Sequence, residues 1–181
     1  MGKIERLSRA LRLAFRLILV LIPLFSLAFW WFFDDFRRLG AVDMLHGVSL
    51  GGLNVPAPLP LSGKVLGFVV SAIPTGIDMA VIYLLSRLFG LYAQGEIFSA
   101  ANVRYIKKIG YTLLLGQALS PVYQALVTTA LTFHNPPGQR YIRIGLSSAD
   151  VSTVTTALVV IVAAWIMDEA RKLQDEQALV I

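Results

Sequence analysis

Four long apolar runs alternate with polar and charged segments along this chain of 181 residues. The runs lie at about residues 13–33, 65–89, 106–133 and 146–167. A bilayer core about 30 Å thick is crossed by roughly 20 apolar residues in an α-helix. The pattern therefore predicts an all-α integral membrane protein, with a single membrane domain over residues 1–181 and four transmembrane helices.

Composition supports this interpretation and removes several other classes of protein. Hydrophobic residues make up 56% of the chain and charged residues only 15%, which is unlike a soluble domain. The chain has no cysteine, so disulfide frameworks, cysteine-ligated metals and thiol nucleophiles within it are excluded. The net charge of +5 comes from cations at the ends of the apolar runs. That is a membrane pattern, so we expect no direct binding of nucleic acid.

The distribution of lysine and arginine predicts the orientation of the helices. Eleven of these residues lie near the two chain ends or the second loop, and five near the first and third loops. Because cytoplasmic segments carry an excess of these cations, we expect both termini, the 90–105 loop and the 168–181 tail in the cytoplasm. The loops at 34–64 and 134–145 are then outside, and Trp30 and Trp31 are expected at the outer interface of the membrane.

The stretch GEIFSAANVRYIKKIG, residues 95–110, opens the third helix with a basic face. Ser99 is placed as its N-cap, whose hydroxyl accepts a hydrogen bond from a free backbone N–H. Arg104, Lys107 and Lys108 follow at helical spacing and share one side of the helix. This face either anchors the helix on anionic lipid headgroups or docks a cytosolic protein.

The final segment, DEARKLQDEQALVI at residues 168–181, allows two interpretations. Charged pairs at helical spacing, such as Arg171 with Asp175, are typical of a solvated, salt-bridged helix. The alternative is that its apolar residues dock on the 90–105 loop or on a partner, because they form an apolar end in water. These residues are Leu173, Leu179, Val180 and Ile181.

The two outer loops carry turn and strand signals. The first contains GVSLGGLNVP, and the second continues from HNPPG into RYIRIGL. We therefore expect a small extracytoplasmic region in which short β-strands pair the two loops. His46 and His134 lie in these loops without the spacing of a metal-ligand motif, so no metal site is predicted.

Asp78 is the candidate polar site inside the membrane. It lies near the middle of the second run, where inserting an aspartate costs about 2.5 to 3.5 kcal/mol and the side chain usually faces protein or water. We expect other polar or helix-bending residues at similar depth to complete a layer with it. These are Pro74, Thr75, Gln117, Ser120, Thr155 and Thr156. The alternative is that such groups only join helices by hydrogen bonds.

No catalytic constellation is recognisable in the sequence. The spans contain neither a pair of aspartates nor a serine and a histidine at one depth, and no glycine-rich phosphate loop with lysine occurs. We therefore predict a protein without catalytic residues and without a cofactor.

The stretches GEIFSAANVRYIKKIG and DEARKLQDEQALVI, with the four apolar runs, resemble the bacterial membrane family called domain of unknown function 2975. The resemblance implies location in the inner (plasma) membrane. Members of that family are often encoded beside a small helix-turn-helix regulator, so the resemblance also implies such a regulator as a partner. Val180 stands where threonine is common in the family, so no role that needs the hydroxyl is carried over.

Two functions follow from these observations. The leading one is a non-enzymatic interaction, sensor or anchor protein that holds a cytosolic regulatory partner through residues 90–108 and the C-terminal helix. The alternative is a small transporter or ion-conducting subunit that uses Asp78. Four helices enclose little of a pathway alone, so we expect a homo-oligomer.

Overall fold

The protein is almost entirely helical in its computed structural model, which describes residues 3–40, 52–96 and 99–178. The described residues form five helices, α1 (Lys3–Trp31), α2 (Phe33–Arg38), α3 (Leu61–Tyr92), α4 (Ala100–Thr132) and α5 (Ser148–Ala178). Each predicted apolar run lies largely within one of the four long helices, which confirms the all-α prediction.

Three of the helices are long and apolar enough to cross a membrane, which makes this a membrane protein. Within the described residues these are Glu5–Trp31, Leu61–Tyr92 and Ser148–Leu173. The fourth long helix, α4, has 33 residues but is less apolar. Buried polar side chains run along it, including Gln124 and Thr128. A helix that faces protein needs less apolar surface than one that faces lipid.

Local signals account for where α3 ends and α4 begins. The backbone N–H of Asn102 donates to Ser99 Oγ at 3.2 Å, which confirms the predicted N-cap. At the end of α3, two residues after Tyr92, Gln94 donates from Nε2 to the Gly90 carbonyl at 2.9 Å. Gly95 then adopts φ +81°, the left-handed conformation that commonly follows a helix C-terminus.

The residues form two compact units, and each long helix contributes a segment to both. The first unit contains α1 up to Val20, α3 from Asp78, α4 up to Leu115 and α5 from Ser152. Small residues bring α4 and α5 together there, because a Cβ built on Gly110 lies 2.5 Å from Ile161 Cγ1. Close approach through small residues is typical of helices that pack in membranes.

The second unit contains Leu21–Ile77 and Gly116–Val151 and has an aromatic core. Trp30 and Phe33 stack with ring centroids 5.3 Å apart, and the Trp30 indole lies directly on Gly67. Its Nε1–H donates to Ser71 Oγ at 3.0 Å. Trp30, which the sequence placed with Trp31 at the membrane interface, is thus only 2% exposed, whereas Trp31 is exposed.

The expected strands do not form in the described residues. Part of GVSLGGLNVP lies outside the described residues, while the described segment 139–147 is extended but pairs with a helix. Its backbone N–H groups donate to side chains of α4 that are four residues apart. The donors and acceptors are Tyr141 to Thr132 Oγ1 (3.1 Å), Arg143 to Thr128 Oγ1 (3.1 Å) and Gly145 to Gln124 Oε1 (2.8 Å).

This side-chain ladder works because two repeats match in length. Four helical residues rise about 6 Å, and two extended residues span about 6.6 Å. Alternate N–H groups of the extended segment therefore meet successive side chains on one face of α4. Three N–H groups of the segment are thus satisfied by α4, and the segment forms no sheet with the described part of the first loop, residues 34–40 and 52–64.

Candidate functional site

The start of α4 and the end of α5 are joined by an ion pair. Lys107 Nζ contacts Asp168 Oδ2 at 2.9 Å across 61 residues of sequence. Arg171 adds a contact to the other oxygen of Asp168 at 3.5 Å and a second to Asp175 at 2.7 Å. We call the surface formed by residues 99–108 and 165–175 the α4–α5 platform.

The three predicted cations of α4 have different surroundings on this platform. Lys107 is about one quarter exposed and is committed to its ion pair with Asp168. Arg104 and Lys108 are exposed, and neither has an acidic partner among the described residues. The basic face therefore divides into one structural cation and two that remain available to a ligand.

The predicted apolar tail is described only in part. Leu173 is 53% exposed on α5, and Trp165 and Ile166, about two turns earlier in the same helix, are also exposed. Leu179, Val180 and Ile181 lie outside the described residues, so their docking stays a prediction. The predicted pair of Arg171 and Asp175 is confirmed.

The residues of the predicted mid-membrane layer have varied environments. Asp78 is exposed on α3, whereas Thr75 is buried and Pro74 is accommodated inside the helix. Thr156 donates to the Ser152 carbonyl of its own helix at 2.8 Å. A shared polar layer around Asp78 stays a prediction.

Gln117 and Ser120 bind partners within the second unit. Gln117 Nε2 donates to Asp150 Oδ1 at 2.9 Å, and Gln124 Nε2 donates to Ser120 Oγ at 3.1 Å. Asp150 also accepts hydrogen bonds from the backbone N–H (2.6 Å) and hydroxyl (2.8 Å) of Ser147. Its N–H donates back to Ser147 Oγ at 3.3 Å, so the two residues cap α5 reciprocally.

Sequence reasoning did not identify this capping role of Asp150. The signal was present as SSAD at residues 147–150, a hydroxyl residue followed three positions later by an acid before an apolar run. That spacing is typical of a helix N-terminus.

A second charged cluster fixes the segment that precedes α3. Asp34 Oδ2 contacts Lys64 Nζ at 2.8 Å, and Asp34 Oδ1 accepts from the Leu59 N–H at 2.9 Å. Burial opposes ionisation of this carboxyl, but the bonds from Lys64 and Leu59 and the charges of Lys64 and Arg37 lower its pKa below the ordinary value. Arg37 Nη1 donates to the carbonyls of Val55 (2.9 Å) and Pro56 (3.0 Å). These bonds fasten a loop and form no evident reaction centre.

Comparison with known proteins supports the resemblance seen in the sequence. Residues 52–181 match the family described as protein of unknown function (DUF2975). The chain belongs to the DUF2975 family. The comparisons with curated proteins and with solved structures gave no match.

The matched region places the sites of this DUF2975 member relative to the family. It contains α3, α4 and α5, and therefore both sides of the α4–α5 platform and Asp78. α1 and α2 precede the matched residues. The Asp34 side of the Asp34–Lys64 contact is thus contributed by a part of this DUF2975 protein outside the match.

Proposed function

We propose that this protein is a non-enzymatic anchor in the bacterial inner membrane that holds a cytosolic regulatory protein on the α4–α5 platform. The single observation that carries the proposal is the contact between Lys107 and Asp168. It joins the basic start of α4 to the charged end of α5, so both form one surface. Exposed Arg104 and Lys108 suit a partner with an acidic patch, and Leu173 supplies exposed apolar area on the α5 side of the platform.

The proposal requires that α4 also crosses the membrane, so that both termini and the platform are cytoplasmic. The length of α4 supports this, because 33 residues extend about 50 Å, well over the bilayer core. The excess of lysine and arginine near the chain ends supports the direction. A small helix-turn-helix regulator is the partner implied by the family resemblance.

Because the chain has no cysteine, the topology is testable with single introduced cysteines. Leu39 is 80% exposed and Glu96 is exposed, so Leu39→Cys and Glu96→Cys leave buried contacts intact. With a membrane-impermeant maleimide on spheroplasts, we expect labelling at position 39 at once and at position 96 only after permeabilisation. Labelling of both positions from one side would contradict the four-span topology.

The partner is tested by gentle purification from native membranes, with mass spectrometry of the proteins that remain bound. We expect a stoichiometric cytosolic protein that is lost in Arg104→Glu and in Lys108→Glu. The matched control is Arg38→Glu, since Arg38 is exposed but lies in α2. Equal recovery of that protein from all three variants would refute docking on the platform.

A second function is favoured by one observation, the exposure of Asp78 on α3. Inserting an aspartate near mid-membrane costs about 2.5 to 3.5 kcal/mol, and a second copy of the chain packed over the exposed Asp78 would reduce that cost. Such a homo-oligomer is the form in which Asp78 would serve a transporter or ion-conducting subunit. Loss of ion flux in Asp78→Asn liposomes, with the oligomer intact, would support this function, whereas loss of the oligomer would assign Asp78 to assembly.

A further inference from the structure

A small cavity in the first unit is lined by two arginines that the proposed function does not use. Its volume is about 120 Å³. The lining residues are Arg12, Arg87, Gly90, Leu91, Gln94 and Tyr105. They come from α1, from the end of α3 and the turn after it, and from the first turns of α4. None of the lining residues is acidic.

Arg12 is held against backbone and lacks an acceptor for one of its N–H groups. A Cβ built on Gly90 lies 3.3 Å from both Cζ and Nε of Arg12, so the guanidinium rests directly on this glycine. The Nε atom is buried and has no hydrogen-bond partner among the described residues. A buried donor on a charged group without an acceptor is costly, so the cavity beside it is expected to hold an acceptor.

The second guanidinium is oriented by a neighbour on α4. Arg87 Nε donates to Tyr105 Oη at 3.4 Å. Within the described part of the chain, Tyr105 is the hydrogen-bond partner of Arg87, and the Arg87 side chain is otherwise exposed. Two arginines with donors in fork geometry match the oxygens of a phosphate group.

The end of α3 does not repel an anion here as strongly as a bare helix C-terminus. A free C-terminal carbonyl carries partial negative charge and disfavours anions. The Gly90 carbonyl, however, accepts a hydrogen bond from Gln94 Nε2 at 2.9 Å. The lining residue Gln94 thus neutralises part of the unfavourable field and leaves the two guanidinium groups as the dominant charges.

The cavity lies where charged side chains give way to apolar ones. One turn beyond Arg12, Phe15 packs on Phe89 with ring centroids 5.5 Å apart. Leu13 and Leu17 are exposed on the same stretch of α1, as lipid-facing residues are. The volume equals that of about four water molecules in the liquid, which accommodates a phosphate group but no nucleotide.

We propose that this cavity is a specific site for the phosphate group of an anionic phospholipid, bound between Arg12 and Arg87. Basic pockets between transmembrane helices recognise such headgroups. The site shares only Tyr105 with the α4–α5 platform and does not depend on the proposed function. Free inorganic phosphate shares the same chemistry, so the test must separate the two sources.

The test is native mass spectrometry of the full chain in detergent with added phosphatidylglycerol, phosphatidylcholine or inorganic phosphate. We expect one phosphatidylglycerol retained per chain, with affinity lowered about tenfold to hundredfold in Arg12→Gln and in Arg87→Gln. Arg16→Gln is the matched control, because Arg16 is exposed on the same helix one turn from Arg12 and does not line the cavity. Its affinity for the lipid is expected to be unchanged.

A second variant keeps both charges and fills the contact instead. Gly90→Ala places a methyl group 3.3 Å from Arg12 Cζ, so we expect the guanidinium to move by a few tenths of an ångström and lipid affinity to fall. General attraction of lipid to a basic surface predicts no such loss. Equal lipid retention by Arg12→Gln and Arg16→Gln, or no effect of Gly90→Ala in folded protein, would overturn the site. Binding of inorganic phosphate that displaces phosphatidylglycerol completely would overturn the lipid as its ligand.

Discussion

The side-chain ladder between α4 and segment 139–147 predicts a specific effect of Thr128→Val. Thr128 is fully buried, and its hydroxyl accepts from the Arg143 N–H at 3.1 Å while donating to the Gln124 carbonyl at 2.7 Å. Valine keeps the shape of threonine and therefore creates no cavity. It removes the acceptor for Arg143, while the Gln124 carbonyl belongs to a helix residue and loses only a supplementary donor.

The expected cost is that of a partly buried N–H without a partner, about 1 to 2 kcal/mol. That free energy raises the population of the detached segment about 5-fold to 30-fold. Arg140 and Arg143 lie within the segment, so trypsin reports its detachment directly. We expect cleavage at these two arginines, in purified protein in detergent, to accelerate by that factor when reclosing is fast relative to cutting.

Thr129→Val is the matched control for this experiment. The Thr129 hydroxyl donates to the Ala125 carbonyl at 2.7 Å, and it takes no part in the ladder. The same chemical change one residue away should therefore leave the cleavage rate at Arg140 and Arg143 nearly unchanged. Equal rates in the two variants would refute the conclusion that the ladder holds the segment on α4.

Three further predictions concern the ends and packing of the helices. Lys107→Gln and Asp168→Asn should each lower the Tm, and the double-mutant cycle should give a coupling energy of about 0.5 to 1 kcal/mol. A coupling energy of zero would show that this ion pair does not stabilise the contact between α4 and α5. Gly110→Ala should cost about 1 to 3 kcal/mol because its Cβ meets Ile161 at 2.5 Å, whereas Gly76→Ala, with nothing within 4 Å, should not lower the Tm. The pKa of Asp34 is lowered, so its contribution to stability is fully present above the ordinary value of 3.8. That contribution is lost as the pH falls from there through the lowered pKa. Proteolysis of segment 52–60 should rise in acid for the wild type, and Asp34→Asn should remove that dependence.

Much of the helical architecture is predictable from the sequence because period and length dominate in a membrane protein. The apolar runs predict where the long helices lie, and Ser99 predicts where α4 begins. The composition of α4 is harder to interpret, because polar residues such as Thr128 and Thr132 suit a helix that faces protein and carries a second chain segment. Hydropathy depends only on residue type, so it does not show whether lipid or protein surrounds a side chain.

The segment RYIRIGL shows why local propensity misled the prediction of strands. Its residues form no strand, although alternate backbone N–H groups, at Tyr141, Arg143 and Gly145, donate in one direction as they would in a strand. Whether a segment becomes a strand depends on which groups accept hydrogen bonds from its N–H groups. Here the acceptors are side-chain oxygens on the helix α4, not the carbonyls of another strand. The i, i+4 spacing of Gln124, Thr128 and Thr132 was the available signal.

The candidate site was predictable in its location and less so in its detail. Helical spacing placed Arg104, Lys107 and Lys108 on one face, but only the position of Asp168 on α5 reveals that Lys107 is committed to a contact. The two cavity arginines were interpreted from the sequence as orientation signals alone. Their proximity depends on Gly90, which allows the Arg12 side chain to lie against α3.

The stacking of Trp30 on Gly67 has a consequence for spectroscopy. Trp30 is 2% exposed, whereas Trp31 and Trp165 are 66% and 54% exposed. Bromine-labelled lipid should therefore quench the emission of the last two and spare Trp30. Its residual fluorescence is then a built-in optical reporter of the aromatic core, and Trp31→Phe with Trp165→Phe would leave that reporter as the sole indole in the chain.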